Sequence, residues 1–196
     1  MSNREMSERS KFYLRYRKRI QQWAALESDA ANEAHRFYCS LAGPLEDVSG
    51  LRGDPSVFLH LERTEPPKLF LVKEAWAGPD DGGHPLVGIG IEWPKKTSFT
   101  NACTGIWVNR YPATRSLADL LGPLIAAKAE RVLDPVWPKY KIKPQGWFPV
   151  LRYEKPHRED YWDDLDGYAS ALIERICDLW DAMSDEVQAA VEEVKA

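Results

Sequence analysis

The chain has 196 residues, a net charge of −4 and 44% apolar residues, with eight Trp and eight Tyr among them. No run of about 18 apolar residues occurs, which excludes a membrane-spanning helix. The opening Met-Ser-Asn-Arg-Glu-Met-Ser-Glu lacks the apolar core of a secretory signal. Cys39, Cys103 and Cys177 are odd in number and widely separated, with neither a CxxC pair nor zinc-site spacing. Reduced thiols and a cytoplasmic protein of one domain are the expectation.

Charge is unevenly placed. Residues 1–20 hold seven bases (Arg4, Arg9, Lys11, Arg15, Arg17, Lys18 and Arg19) and two acids, a net of +5. Residues 158–196 hold twelve acids and three bases, a net of −9, which leaves the middle neutral. Such asymmetry suits a partner or nucleic-acid surface at each end. It equally suits two terminal helices lying side by side and offsetting one another.

Residues 5–42 read as one long helix, because Phe12, Tyr16, Ile20, Trp23, Ala30, Ala34, Phe37 and Leu41 recur mostly at steps of three and four. Ser7 is its expected N-cap and Gly43-Pro44 its end. Arg15, Arg17, Lys18 and Arg19, interleaved with Tyr13 and Tyr16, resemble a phosphate-contacting surface. Basic residues near a helix N-terminus oppose the helix dipole, so an acidic neighbour is expected, and the acidic C-terminal region can supply it.

Residues 43–55 read as a loop. Two strand-like runs follow, Val57–Arg63 and Leu69–Trp76, and residues 77–85 form a turn. Residues 86–93 are the clearest strand: Val87, Ile89, Ile91 and Trp93 alternate with Leu86, Gly88, Gly90 and Glu92. Two glycines on one face imply a close approach to the backbone by a helix, a large side chain or a ligand. If Trp76 pairs near Leu86, Val72 and Glu74 lie opposite Gly90 and Gly88 and cover them. A pocket over the glycines, lined by Trp76, Trp107, Glu74 and Glu92, is the alternative.

Pro94 ends the strand, with Lys95 and Lys96 behind it. Thr104–Tyr111 forms a fourth strand with Ile106 and Val108 on one face and Trp107 and Tyr111 on the other. Ser116 caps a helix to about Leu133, which Gly122-Pro123 should kink or restart. Lys139, Lys141 and Lys143 alternate as on an exposed sheet edge, where lysine discourages edge-to-edge pairing, and the same row can track phosphates. Trp147–Glu154 is a fifth strand. A last helix covers residues 159–182, and Ser184 restarts a short acidic one. The result is an α+β fold of order αββββαβα, with a mostly antiparallel sheet (a four-strand meander plus one further strand) flanked by long N- and C-terminal helices.

The chain has no GxxxxGK[ST] loop, no GxGxxG after a strand, no HExxH and no GxSxG. Its four histidines, His35, His60, His84 and His157, fall in four different elements, so no metal ligand set and no cofactor is read from the sequence. The order of elements over roughly residues 20–153 loosely resembles the PD-(D/E)xK nuclease-like fold, a helix, three strands, a helix and a strand. Asp54 lies ahead of the first strand run, and Glu92-Trp93-Pro94-Lys95 ends the third. The resemblance implies Glu92 and Lys95 as catalytic residues, with Glu74 as an added ligand for a hard divalent cation. This chain departs from the pattern twice. The lysine is one residue late and so points off the carboxylate's face, and Pro94 breaks the strand.

Two functions are expected from these features. The first is a non-catalytic interaction protein, acting on a protein partner or in a homo-oligomer through aromatic-rich surfaces and acidic C-terminal helices. The alternative is a nucleic-acid-binding or divergent nuclease protein using Arg15, Arg17, Lys18, Arg19, Lys95, Lys96, Lys139, Lys141 and Lys143. A sequence pI near 5.6 weighs against the alternative.

Overall fold

A computed structural model describes residues 6–51, 56–63, 65–78, 84–94, 101–133, 140–154 and 163–196, with the side chains of 48–51 set aside. The elements in chain order are α1 (Glu8–Ser40), α2 (Ala42–Leu51), β1 (Val57–Glu62), β2 (Lys68–Lys73), a 3-10 turn (Glu74–Trp76), β3 (Val87–Glu92), β4 (Cys103–Val108), α3 (Arg115–Leu133), β5 (Lys141–Ile142), β6 (Val150–Tyr153) and α4 (Leu165–Lys195). The strands form one sheet in the order β1-β2-β3-β4-β6-β5, antiparallel at every pairing. The expected α+β fold, its meander and its two long terminal helices are all present. The sheet carries one strand more than expected, the two-residue β5, and Lys141 lies on that outermost strand as the lysine alternation predicted.

Three local expectations are corrected. Residues 42–51 are helix rather than loop. Gly43 and Pro44 stand in the first turn of α2, where backbone N–H groups need no helical acceptor, so they do not oppose it. Leu45 anchors this helix in the core. The last helix runs unbroken through Ser184, because Met183 and Val187 continue its buried stripe and Ser184 itself faces inward. Finally, α3 does not restart at Gly122-Pro123 but runs on as one helix, with Pro123 on its exposed side.

The two faces of the sheet differ. Leu69, Leu71, Val87, Ile89, Ile91, Ile106, Val108 and Val150 lie on one face and are buried. α4 supplies Tyr168, Leu172, Ile176, Leu179, Trp180, Met183, Val187 and Val191 to the same core cluster. α4 is fixed at both ends. Near its N-terminus Tyr168 stacks on Phe37 at 5.5 Å and shares a buried hydroxyl pair with Tyr38 at 3.3 Å. At its C-terminus Gln188 accepts from Trp76 Nε1 at 2.8 Å, and Lys195 Nζ donates to the carbonyls of Ala75 and Ala77 at 2.8 and 3.0 Å. Between them, buried Glu154 accepts from Thr104 Oγ1 at 2.6 Å and pairs with Arg175 of α4.

The opposite face carries His60 and Glu62 on β1, Lys68 and Phe70 on β2, Gly88, Gly90 and Glu92 on β3, and Gly105 and Trp107 on β4. Phe70 pairs with Gly90 and covers both β3 glycines. A Cβ added at Gly88 would lie 2.7 Å from Phe70 Cβ, and one at Gly90 would collide with the Leu69 carbonyl. A large cross-strand side chain therefore explains the glycines, as one expectation held. Its identity differs because the ladder runs two residues out of step with the Trp76–Leu86 contact. Leu86 N does donate to Trp76 O at 2.7 Å, but the intervening 3-10 turn takes up the offset, and Glu74 leaves the sheet. The pocket over the glycines is overturned. Phe70 fills that space, and Trp76 packs on Trp180 of α4, on the other side of the sheet from Trp107.

Candidate functional site

α1 is built in two parts. Its last turns join the core through Ala34 and Tyr38, with Tyr38 stacked on Trp93 at 5.3 Å and Trp93 Nε1 donating to His35 Nδ1 at 3.1 Å. Every residue from 8 to 29 is exposed except the half-buried Ile20. At 1.5 Å per residue this is an arm of about 33 Å. Ser7 caps it, accepting from Ser10 N at 3.2 Å, as the sequence predicts.

The arm concentrates exposed apolar side chains: Phe12 at 60%, Trp23 at 62% and Leu26 at 64% exposure, with Tyr13, Leu14 and Tyr16 beside them. Phe12 and Tyr16 lie 4.7 Å apart, and the Arg19 guanidinium sits 6.0 Å over the Trp23 ring. Tyr13, Tyr16, Ile20 and Trp23 are spaced three, four and three apart. The same rhythm reaches the core as Ala30, Ala34, Phe37 and Leu41, so one stripe is buried at one end and bare at the other. Residues 8–19 add six bases against the single acid Glu8.

α4 carries the opposite charge. It holds eight acids and two bases, and Glu174, Asp178, Asp181, Asp185 and Glu192 recur at four-, three-, four- and seven-residue steps, outside the buried stripe. The expectation that the two terminal helices offset one another within one chain is not met along the arm. α1 reaches α4 through Phe37 and Tyr38 against Tyr168, beyond the end of the basic cluster.

The predicted basic residues divide. Arg15, Arg17, Lys18 and Arg19 are on the arm. Lys141 and Lys143 are at the outer sheet edge, with Lys141 Nζ 5.4 Å from the Tyr153 ring centroid. Lys95, Lys96 and Lys139, and Asp54 of the nuclease-like pattern, lie outside the described residues. Glu92 and Glu74 are not brought together. Glu92 pairs with Lys68 at the start of β2, whereas Glu74 follows its end. Six strand residues separate those positions by about 20 Å, too far to share an ion. Glu74 is exposed.

Glu92 belongs instead to a polar group on the sheet face opposite α4. Lys68, almost fully buried, lies between Glu62 and Glu92 on neighbouring strands, 3.3 Å from Glu62 Oε2, and donates to Pro66 O at 3.1 Å. Tyr111 donates to Glu62 Oε1 at 3.3 Å. Burial pushes the Glu92 carboxyl up to about 7; Lys68 opposes the shift, and Glu62 and Glu65 add to it. The Tyr111 hydroxyl is also raised, by burial and then by Glu62. The His60 imidazole is lowered by burial, against the pull of Glu62.

His60 and Glu62 stand two apart on β1 and so share a face, and His84, ahead of β3, lies beside them. Sequence reasoning missed this grouping. The i, i+2 pair was readable from strand alternation, but the approach of His84 was not. No known protein family, no curated protein and no solved structure matches the chain.

Proposed function

We propose that this is a non-catalytic interaction protein that self-associates, the α1 arm of one copy docking on the acidic outer face of α4 in a second copy. The observation that carries the reading is the bare continuation of the α1 apolar stripe on a helix with six bases and one acid in residues 8–19. Exposed apolar patches of this extent on soluble proteins mark interaction surfaces. Two arms paired with each other would set like charges together, whereas α4 offers acids at matching helical steps. Each arm presents on the order of 500 Å² of apolar side chain, from about 100 Å² for each large residue. Reciprocal docking would then bury about 2,000 Å² in total, within the range of stable dimers.

Light scattering of the full chain tests it. A dimer at low salt that dissociates at least tenfold more readily in the Arg15→Glu/Arg19→Glu double variant is expected. A monomer at every concentration overturns the reading. A mass gained only with a short DNA duplex, and lost at high salt, would replace it with nucleic-acid binding through the same bases and the interleaved Tyr13 and Tyr16.

A further inference from the structure

We propose that His60, Glu62 and His84 form a binding site for a divalent transition-metal ion of the zinc class. The site lies on the sheet face opposite α4, and the proposal does not rest on self-association. One ligand atom from each residue lies within 4.8 Å of the other two. The two imidazoles meet edge to face with centroids 6.2 Å apart, and Tyr111 stands 6.2 Å from the His84 ring.

A second observation points to a ligand. Nε2 of His60 is buried and has no hydrogen-bond partner among the described residues. Buried polar atoms are almost always paired, so an orphan ring nitrogen on a residue grouped with a carboxylate and a second imidazole calls for an explanation. A bound cation supplies one.

The donor set selects the ion. Two imidazoles and one carboxylate match borderline divalent ions such as Zn²⁺, with an open position for water, and not Mg²⁺ or Ca²⁺, which take oxygen. Tetrahedral zinc with bonds of about 2.1 Å holds its ligand atoms about 3.4 Å apart, so binding draws this group inward by up to about 1 Å. His84 is exposed and can turn to meet that need.

Glu62 is already oriented, with Lys68 at Oε2 and Tyr111 at Oε1. A carboxylate has about four lone-pair sites and can hold a metal alongside hydrogen-bond and ion-pair partners. Lys68 is flanked by Glu62 and Glu92, and these three groups together do not oppose a cation.

Calorimetric titration of the EDTA-stripped full chain with Zn²⁺ tests the proposal, with Co²⁺ absorption reporting the ligand type. One equivalent per chain is expected, with a cobalt spectrum of nitrogen and oxygen ligation free of thiolate bands. His84→Ala should melt at the wild-type temperature without metal and bind zinc at least about tenfold more weakly. Glu62→Gln should weaken it comparably. Cys39→Ser, which removes the thiol 3.7 Å from His35 Nε2, should bind as the wild type does. No saturable zinc binding, undiminished affinity in His84→Ala, or loss of binding in Cys39→Ser would overturn the site.

Discussion

The two terminal helices are nearly equal in length, 33 residues in α1 and 31 in α4, yet they do opposite things. α4 buries a stripe from Tyr168 to Val191 against the sheet and α3, whereas α1 buries only Ala34 and Tyr38 and leaves its aromatic first half in solvent. Both have an apolar period of about 3.6 residues. The difference teaches that an amphipathic stripe makes a helix competent to be covered without saying what covers it. α4 finds its cover within the chain. The arm of α1 does not, and this contrast underlies the proposed function.

The contrast predicts a graded set of substitutions, measured by urea unfolding of the full chain at a concentration where it is monomeric. Leu172→Ala, in the buried stripe of α4, should cost about 2–5 kcal/mol through lost burial and the cavity left behind. A cost below 1 kcal/mol would mean that α4 is not docked as described.

Arg175→Ala should cost about 3 kcal/mol, because it leaves buried Glu154 without the partner that ties β6 to α4. If Arg175→Ala is neutral, Arg152, 3.7 Å from Glu154, has taken over the charge.

Glu92→Gln probes the sheet face opposite α4. The folded carboxyl titrates near 7 and the unfolded one near 4.5, so between these values the folded state holds a proton that the unfolded state has released. Stability contributed by Glu92 therefore falls as pH rises from about 4.5 to about 7, and the full penalty is present above 7. Glu92→Gln should gain about 1–2 kcal/mol at pH 8, discounted because the carboxyl is partly open to water, and nothing at pH 4. An equal gain at both pH values would assign the effect to packing.

Leu14→Ala, on the exposed arm, should change monomer stability by less than about 0.5 kcal/mol. A larger loss would show that the arm packs on its own chain after all, erasing the contrast between the helices.

Much of the fold was legible because period and punctuation are local. The alternation through Ile89 and Ile91 specified β3, the spacing of Phe12, Tyr16 and Ile20 specified a helix, and Ser7 marked its start. α2 was hidden because Gly43 and Pro44 look like breakers unless they are known to occupy a first turn. β5 was hidden because two residues carry no period. Of the polar group on the face opposite α4, the sequence held the pairing of His60 with Glu62 and the position of Glu92. It could not hold the insertion of Lys68 between two acids, which depends on the β1-β2 and β2-β3 registers.

The sequence by itself determined the long helices and the main strands, though not α2 or β5, and that the sheet begins as a meander, because backbone preference and side-chain period act over a few residues. It also determined that positive charge gathers at one end and negative at the other. Only the tertiary structure decided that the two charged helices do not lie along one another, that Phe70 closes over the β3 glycines, and that His84 meets His60 and Glu62. Those outcomes depend on strand register and on which face a helix finds free, and both are set by contacts between residues far apart in the chain.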